Sequence, residues 1–145
     1  MRYEFASPAW CAAMHGLIAE RVATEVKTKP DLTMSICEVF TNAPPHLADG
    51  DGKVAWSCVV DGPNVDFRAS ERDDVRTKVV GDYAAILPLG RYETRGEPDR
   101  AKALAAMAAK VREAGAMRTI TDGAPARPGA QPLTSMHDAI ARLTL

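Results

Sequence analysis

Apolar residues recur along this chain with two different periods. Trp10, Met14, Leu17, Ile18 and Val22 fall at helical spacing and predict a helix over 7–27. Ser7 is its hydroxyl cap, Pro8 its first position, and Pro30 closes it. Strict alternation begins at 32–41, with Leu32, Met34, Ile36, Glu38 and Phe40 on one face and Thr33, Ser35, Cys37, Val39 and Thr41 on the other. Residues 42–53 are dense in Pro, Gly, Asn and Asp and read as a loop. Alternation returns over 54–60 and 65–69, around a turn at 61–64, and again over 75–79. The charged residues between, 70–74, read as a solvated turn. Four strands in succession predict an antiparallel meander.

The pattern switches to helix at Gly81-Asp82-Tyr83. Asp82 caps a short helix over 83–87 that Pro88 and Gly90 are expected to end. A second long helix opens at Glu97-Pro98-Asp99, presents Leu104, Met107, Ala108 and Val111, and stops at Gly115. Its Ala101, Ala105 and Ala108 allow close approach to a sheet or leave room beneath. Residues 116–122 predict a fifth strand. The expected fold is α+β, a single five-stranded, mostly antiparallel sheet with helices packed on it. One domain covers 1–123, a Pro/Gly-rich linker 124–132, and an amphipathic helix 133–145 belongs to the same domain as a lid or docking element. Ser135 and Asp138 stand at capping-box spacing, and Met136, Ile140 and Leu143 make that helix's apolar stripe.

Composition narrows the function classes. With 46% hydrophobic and 26% charged residues, 145 residues can build an ordinary globular core. A formal charge of −1, with bases scattered among acids, argues against nucleic acid as a partner. No apolar run is long enough for stable membrane insertion. The N-terminus lacks the apolar stretch of a secretory signal. Cys11, Cys37 and Cys58 are odd in number and fit neither a disulfide framework nor a zinc ribbon. They read as buried reduced thiols, and the expected location is the cytoplasm.

No phosphate loop, nucleophile elbow or H-E-x-x-H motif is present, so no cofactor or metal is expected. The one chemically odd position is Glu38, an acid within an otherwise apolar strand face. Burial there raises a carboxyl pKa unless a base pairs with it, and raised carboxyls serve general acid–base chemistry. The enzyme reading therefore takes Glu38 as the acid–base group with His15 or His137 assisting. His46 reads as an exposed loop histidine. The other signal is apolar: six Met and two Trp suit a surface that adapts to apolar ligands. Trp56, Phe67, Ile86, Leu87, Met107, Met136 and Ile140 are the expected cavity-lining set, the last two on a movable element.

The opening S-P-x-W (Ser7, Pro8, Trp10), the V-x-G-D-Y at Val79 to Tyr83, the Gly115/Met117 strand start and the Asp122-Gly123 turn together resemble the sterol carrier protein 2 (SCP-2) type lipid-binding domain. The resemblance runs from about residue 7 to 123. It implies a five-stranded sheet backed by helices around an apolar tunnel for fatty acyl chains, acyl-CoA or sterols. It also implies neither a metal nor a catalytic set. The chain departs from the family's pattern at 91–99 and in the linker before the last helix. The expected function is binding of an apolar small molecule (a lipid, fatty acyl or sterol-like ligand) in an internal cavity, with transfer or presentation. A small isomerase or hydratase on an apolar or CoA-linked substrate is the alternative, with the balance against an enzyme. The C-terminal stripe allows a homodimer contact or docking as a non-catalytic subunit on a larger enzyme.

Overall fold

The computed structural model describes residues 1–121 and 136–145. The Asp122-Gly123 turn, the linker at 124–132 and the Ser135 cap lie outside the described residues. Helix α1 spans Pro8–Glu25, and its Ser7 cap accepts the Trp10 amide at 3.1 Å. Its buried stripe is Trp10, Met14, Ile18 and Val22, an i, i+4, i+8, i+12 series that lies along one side of the helix. The strands are β1 (Thr33–Thr41), β2 (Val54–Asp61), β3 (Asn64–Arg68), β4 (Thr77–Asp82) and β5 (Met117–Thr121).

The five strands form one sheet in the order β3-β2-β1-β4-β5. β1 is therefore central, and the expected meander is corrected at its last step. β1–β2, β2–β3 and β4–β5 are antiparallel, but β4 joins the far side of β1 in parallel, with Glu38 opposite Val79 and Phe40 opposite Gly81. The charged stretch 69–76 is the crossover that makes this possible. It runs under the sheet face opposite the helices, where the Arg72 amide donates to Cys37 Sγ at 3.5 Å and the Arg76 amide to Ser35 Oγ at 2.7 Å. Arg72 clamps Asp66 and Asp74, and Lys78 clamps Glu71 and Asp73. These carboxylates hold both cations well above their ordinary pKa values, the bonds to Asp74 and Asp73 contributing most. What read as a solvated turn is the cover of the outer face.

α2 (Tyr83–Arg91) starts at the expected Asp82 cap, whose side chain accepts the Ala85 amide at 3.1 Å. It does not stop at Pro88, which lies inside it. Proline removes one helical hydrogen bond, but Leu87 and Leu89 pack on the core and Gly90 lies against the Phe5 ring, so tertiary packing carries the helix on. α3 (Arg100–Glu113) is capped by Asp99, which accepts the Lys102 amide at 3.1 Å, and Gly115 follows with a φ of +75°, the left-handed stop that glycine adopts without strain. None of its residues is fully buried, so α3 covers the sheet without filling the space beneath it. α4 (His137–Leu143) is the last element.

α4 is clasped to the start of the chain. Tyr3 and Thr144 form a parallel bridge, Trp10 Nε1 donates to Thr144 Oγ1 at 3.0 Å, and Arg91 Nε donates to the Leu145 carbonyl. Its other end is held by Asp138, which accepts both the amide and the hydroxyl of Thr94, at 2.7 and 2.8 Å. Asp138 thus ties α4 to the connection before α3. Phe5 joins Trp10, Phe40 and Tyr83 in an aromatic cluster with centroid spacings from Phe5 of 4.8 to 5.5 Å, and Tyr83 donates its hydroxyl to the Phe5 carbonyl at 2.7 Å. The three cysteines are free and buried. Burial pushes the Cys11 thiol up to about 11 and Cys58 up to about 12, which leaves both protonated and unreactive. No helix among the described residues is long and apolar enough to cross a membrane.

Candidate functional site

Between the helix-facing side of the sheet and the helices of the described residues lies a cavity of about 310 Å³. Its floor is the even-numbered face of β1 with the residues paired to it: Ile36, Glu38, Trp56 from β2 and Val79 from β4. Its walls come from Phe5, Trp10 and Met14 on one side and Ile86 and Leu89 on the other. Leu104, Ala108 and Arg112 of α3, His137 and Ile140 of α4, and Gly90 and Met117 also line it.

Glu38 is the polar feature of the floor. Sheet register sets it beside Trp56, whose indole N–H donates to Glu38 Oε2 at 3.1 Å. Desolvation of this half-buried carboxyl raises its pKa to about 7, and the indole hydrogen bond opposes this only in part. Among the described residues no cation pairs with it. The remaining polar groups are near α3 and α4: Arg112 reaches Thr119 Oγ1 at 3.4 Å, and His137 Nε2 lies 2.6 Å from the Tyr92 carbonyl. A carbonyl can only accept, so Nε2 carries the proton and Nδ1 is the free nitrogen when the ring is neutral. Among the described residues no group of three or more His, Cys, Asp or Glu could hold a metal ion.

The structure brings together part of the set anticipated from the sequence. Trp56, Ile86 and Ile140 line the cavity, as do Glu38 and His137. Phe67 stacks on Trp56 at 5.6 Å and supports it from outside the lining. His15 stacks on the same Phe67 at 5.3 Å, on the exposed side of α1, away from Glu38. Leu87, Met107 and Met136 lie off the lining; Leu87 packs against the core and Met136 is buried in it. The stripe of α4 is folded onto its own chain, with Met136 and Ile140 both under a tenth exposed. His46 pairs with Glu4 at 2.8 Å, outside the cavity. Most of the lining was not anticipated as such: Trp10, Met14, Ile36 and Val79 read only as core positions, and Phe5, Leu89 and Arg112 gave no signal. Arg112 lies one residue past the apolar Val111, at a position that reads as solvated.

A comparison with protein-family models finds no match, and one with curated proteins finds no significant match. Among solved structures, the chain is similar to one described as a UbiJ-SCP2 ubiquinone synthesis protein, at 13% identity over 92% of this chain and 96% of that one, with a TM-score of 0.48.

Proposed function

We propose that this protein binds an apolar small molecule in the cavity between sheet and helices. The observation that carries the reading is a space of about 310 Å³, walled by aromatic and aliphatic side chains, with a single carboxyl on its floor. Ligand sites have this character, a mostly apolar concavity with few placed polar groups, and the volume is at the lower end of their range. It suits a small apolar body or one segment of a longer acyl or sterol-like ligand. The S-P-x-W and V-x-G-D-Y resemblance to SCP-2 type domains supports the same class. Native mass spectrometry of the purified chain, followed by solvent extraction, tests it. An adduct of lipid-like mass that survives desalting is expected. A bare chain that also fails to enhance the fluorescence of added Nile red overturns the reading.

One observation favours a second reading, an enzyme that moves a proton on an apolar substrate. A carboxyl with a pKa near 7 inside an apolar site exchanges protons readily at neutral pH. Glu38 would be its acid–base group, with His137 on the same lining and His15 outside it. Incubating the chain with a β,γ-unsaturated ketone in heavy water, with exchange of the α-protons followed by NMR, decides this. Exchange that Glu38→Gln abolishes supports the enzyme; no exchange with the wild type removes it.

A further inference from the structure

We propose that the cavity has a polar mouth between α3 and β5, where Arg112 anchors the carboxylate end of an otherwise apolar ligand. This rests on the cavity-binding reading above and specifies the ligand's polar end and its orientation. Two rows of residues converge at this mouth. On α3 the cavity-lining residues are Leu104, Ala108 and Arg112, spaced i, i+4, i+8 along one side of the helix, so an apolar row ends in a cation. Across the sheet, register sets Trp56, Glu38, Val79 and Thr119 in one line from β2 to β5. Arg112 Nη2 lies 3.4 Å from Thr119 Oγ1, which puts the guanidinium over the outer end of that line.

The guanidinium has donors to spare. Its long contact with Thr119 uses one N–H of its fork, and among the described residues no carboxylate pairs with it. Arg112 and Thr119 are both exposed, so a charged group held there keeps water on one side. The apolar part of the ligand then lies inward, over Val79 towards Trp56. The planar fork matches a carboxylate in shape and charge. The other ionisable groups on the lining stand apart from this mouth. Glu38 is two strands in from Thr119, about 10 Å at ordinary strand spacing and about one Debye length at physiological salt. His137 belongs to the opposite end of α3, because its neighbour Asp138 is held by Thr94 and by Arg100, about 18 Å of helix before Arg112. A single cation at the mouth suits a single negative charge, which favours a carboxylate over a phosphate ester of nearly twice the charge.

The test is displacement of Nile red from the intact chain by capric acid, methyl caprate and decyl phosphate, which share a ten-carbon chain and differ at the polar end. The pH is about 8, where a fatty acid is ionised. Arg112→Gln is expected to weaken capric acid by about three- to tenfold and methyl caprate by less than about twofold. Lys110→Gln, which removes a cation from the same helical turn but off the lining, is expected to leave both unchanged. Equal losses of acid and ester in Arg112→Gln overturn the proposal, and so does a loss of capric acid in Lys110→Gln as large as in Arg112→Gln. A wild-type preference for decyl phosphate over capric acid overturns the assignment to a carboxylate. If the ester displaces Nile red but capric acid does not, or if Arg112→Gln leaves capric acid unchanged, the cavity reading stands and this proposal falls. If Nile red and all three competitors fail to bind wild type, the cavity reading itself falls.

Discussion

Replacing Glu38 with glutamine removes an ionisation while keeping volume and shape, and its effect on stability follows from one titration. In the folded chain the carboxyl ionises at about 7, against 4.5 for the same group in water. Between those values the unfolded chain has released its proton while the folded chain keeps it. The folded state then binds more protons, so its stability falls as pH rises. Each pH unit in that window costs about 1.4 kcal/mol, and the whole window costs about 3 kcal/mol, a large share of the 5–15 kcal/mol typical of a domain. Below the window nothing is lost; above it the loss is complete and constant. Glutamine has no such window, and its amide oxygen still accepts from Trp56. Urea unfolding of both proteins, followed by tryptophan fluorescence from pH about 4 to about 8, isolates the effect, since every other titration is shared. The variant is expected to match wild type at the acid end and to exceed it by about 3 kcal/mol at the alkaline end. A stability difference that stays flat across that range refutes the assignment of Glu38 as a desolvated, unpaired acid.

Three further changes probe the frame around the cavity. Trp56→Phe removes the hydrogen bond that opposes the shift on Glu38, so carboxyl NMR should show Glu38 titrating higher than in wild type, with a stability loss of about 1–3 kcal/mol below that transition; an unmoved titration counts against the bond. Gly81→Ala places a Cβ 2.2 Å from Ile86 Cδ1 and 3.0 Å from the Ala116 carbonyl, and the carbonyl cannot move aside as a side chain can. Overpacking of this kind costs about 1–3 kcal/mol, which for a chain of this size lowers the melting temperature by roughly 3–10 °C, and an unchanged melt refutes the crowding. Thr144→Val strands the buried Trp10 N–H and should cost about 1–3 kcal/mol in urea unfolding. Thr144→Ser, which restores the acceptor, should recover most of it; if it does not, the hydroxyl is not what holds α4.

Local chemistry made most elements legible. Ser7-Pro8, Asp82 and Gly115 mark ends that the structure places within a residue or two, because each acts through its own backbone neighbourhood. Strand partners were less so. The alternation of 75–79 says which faces are apolar but not which strand lies alongside, and the parallel pairing of β4 with β1 depends on the crossover held by Arg72 and Lys78, an arrangement visible only in three dimensions. Pro88 shows the same limit, since a local helix breaker yields to the packing of its neighbours. At the cavity, Glu38 was detectable because it broke a strand pattern. Phe5 was not, because it lies outside any periodic segment and gains its place only by stacking on three aromatic residues from elsewhere in the chain.

The clasp between the two ends of the sequence also has a consequence in time. Trp10 waits for a hydroxyl that lies 134 residues later. During synthesis the sheet and its first three helices can be complete while this indole still lacks its partner and the cavity lacks the wall contributed by α4. A seven-residue helix has little stability of its own, so that wall arrives only by docking onto a body already built. Truncated or stalled chains lacking residues 136–145 would therefore expose the aromatic cluster and the cavity floor, and so be prone to aggregate.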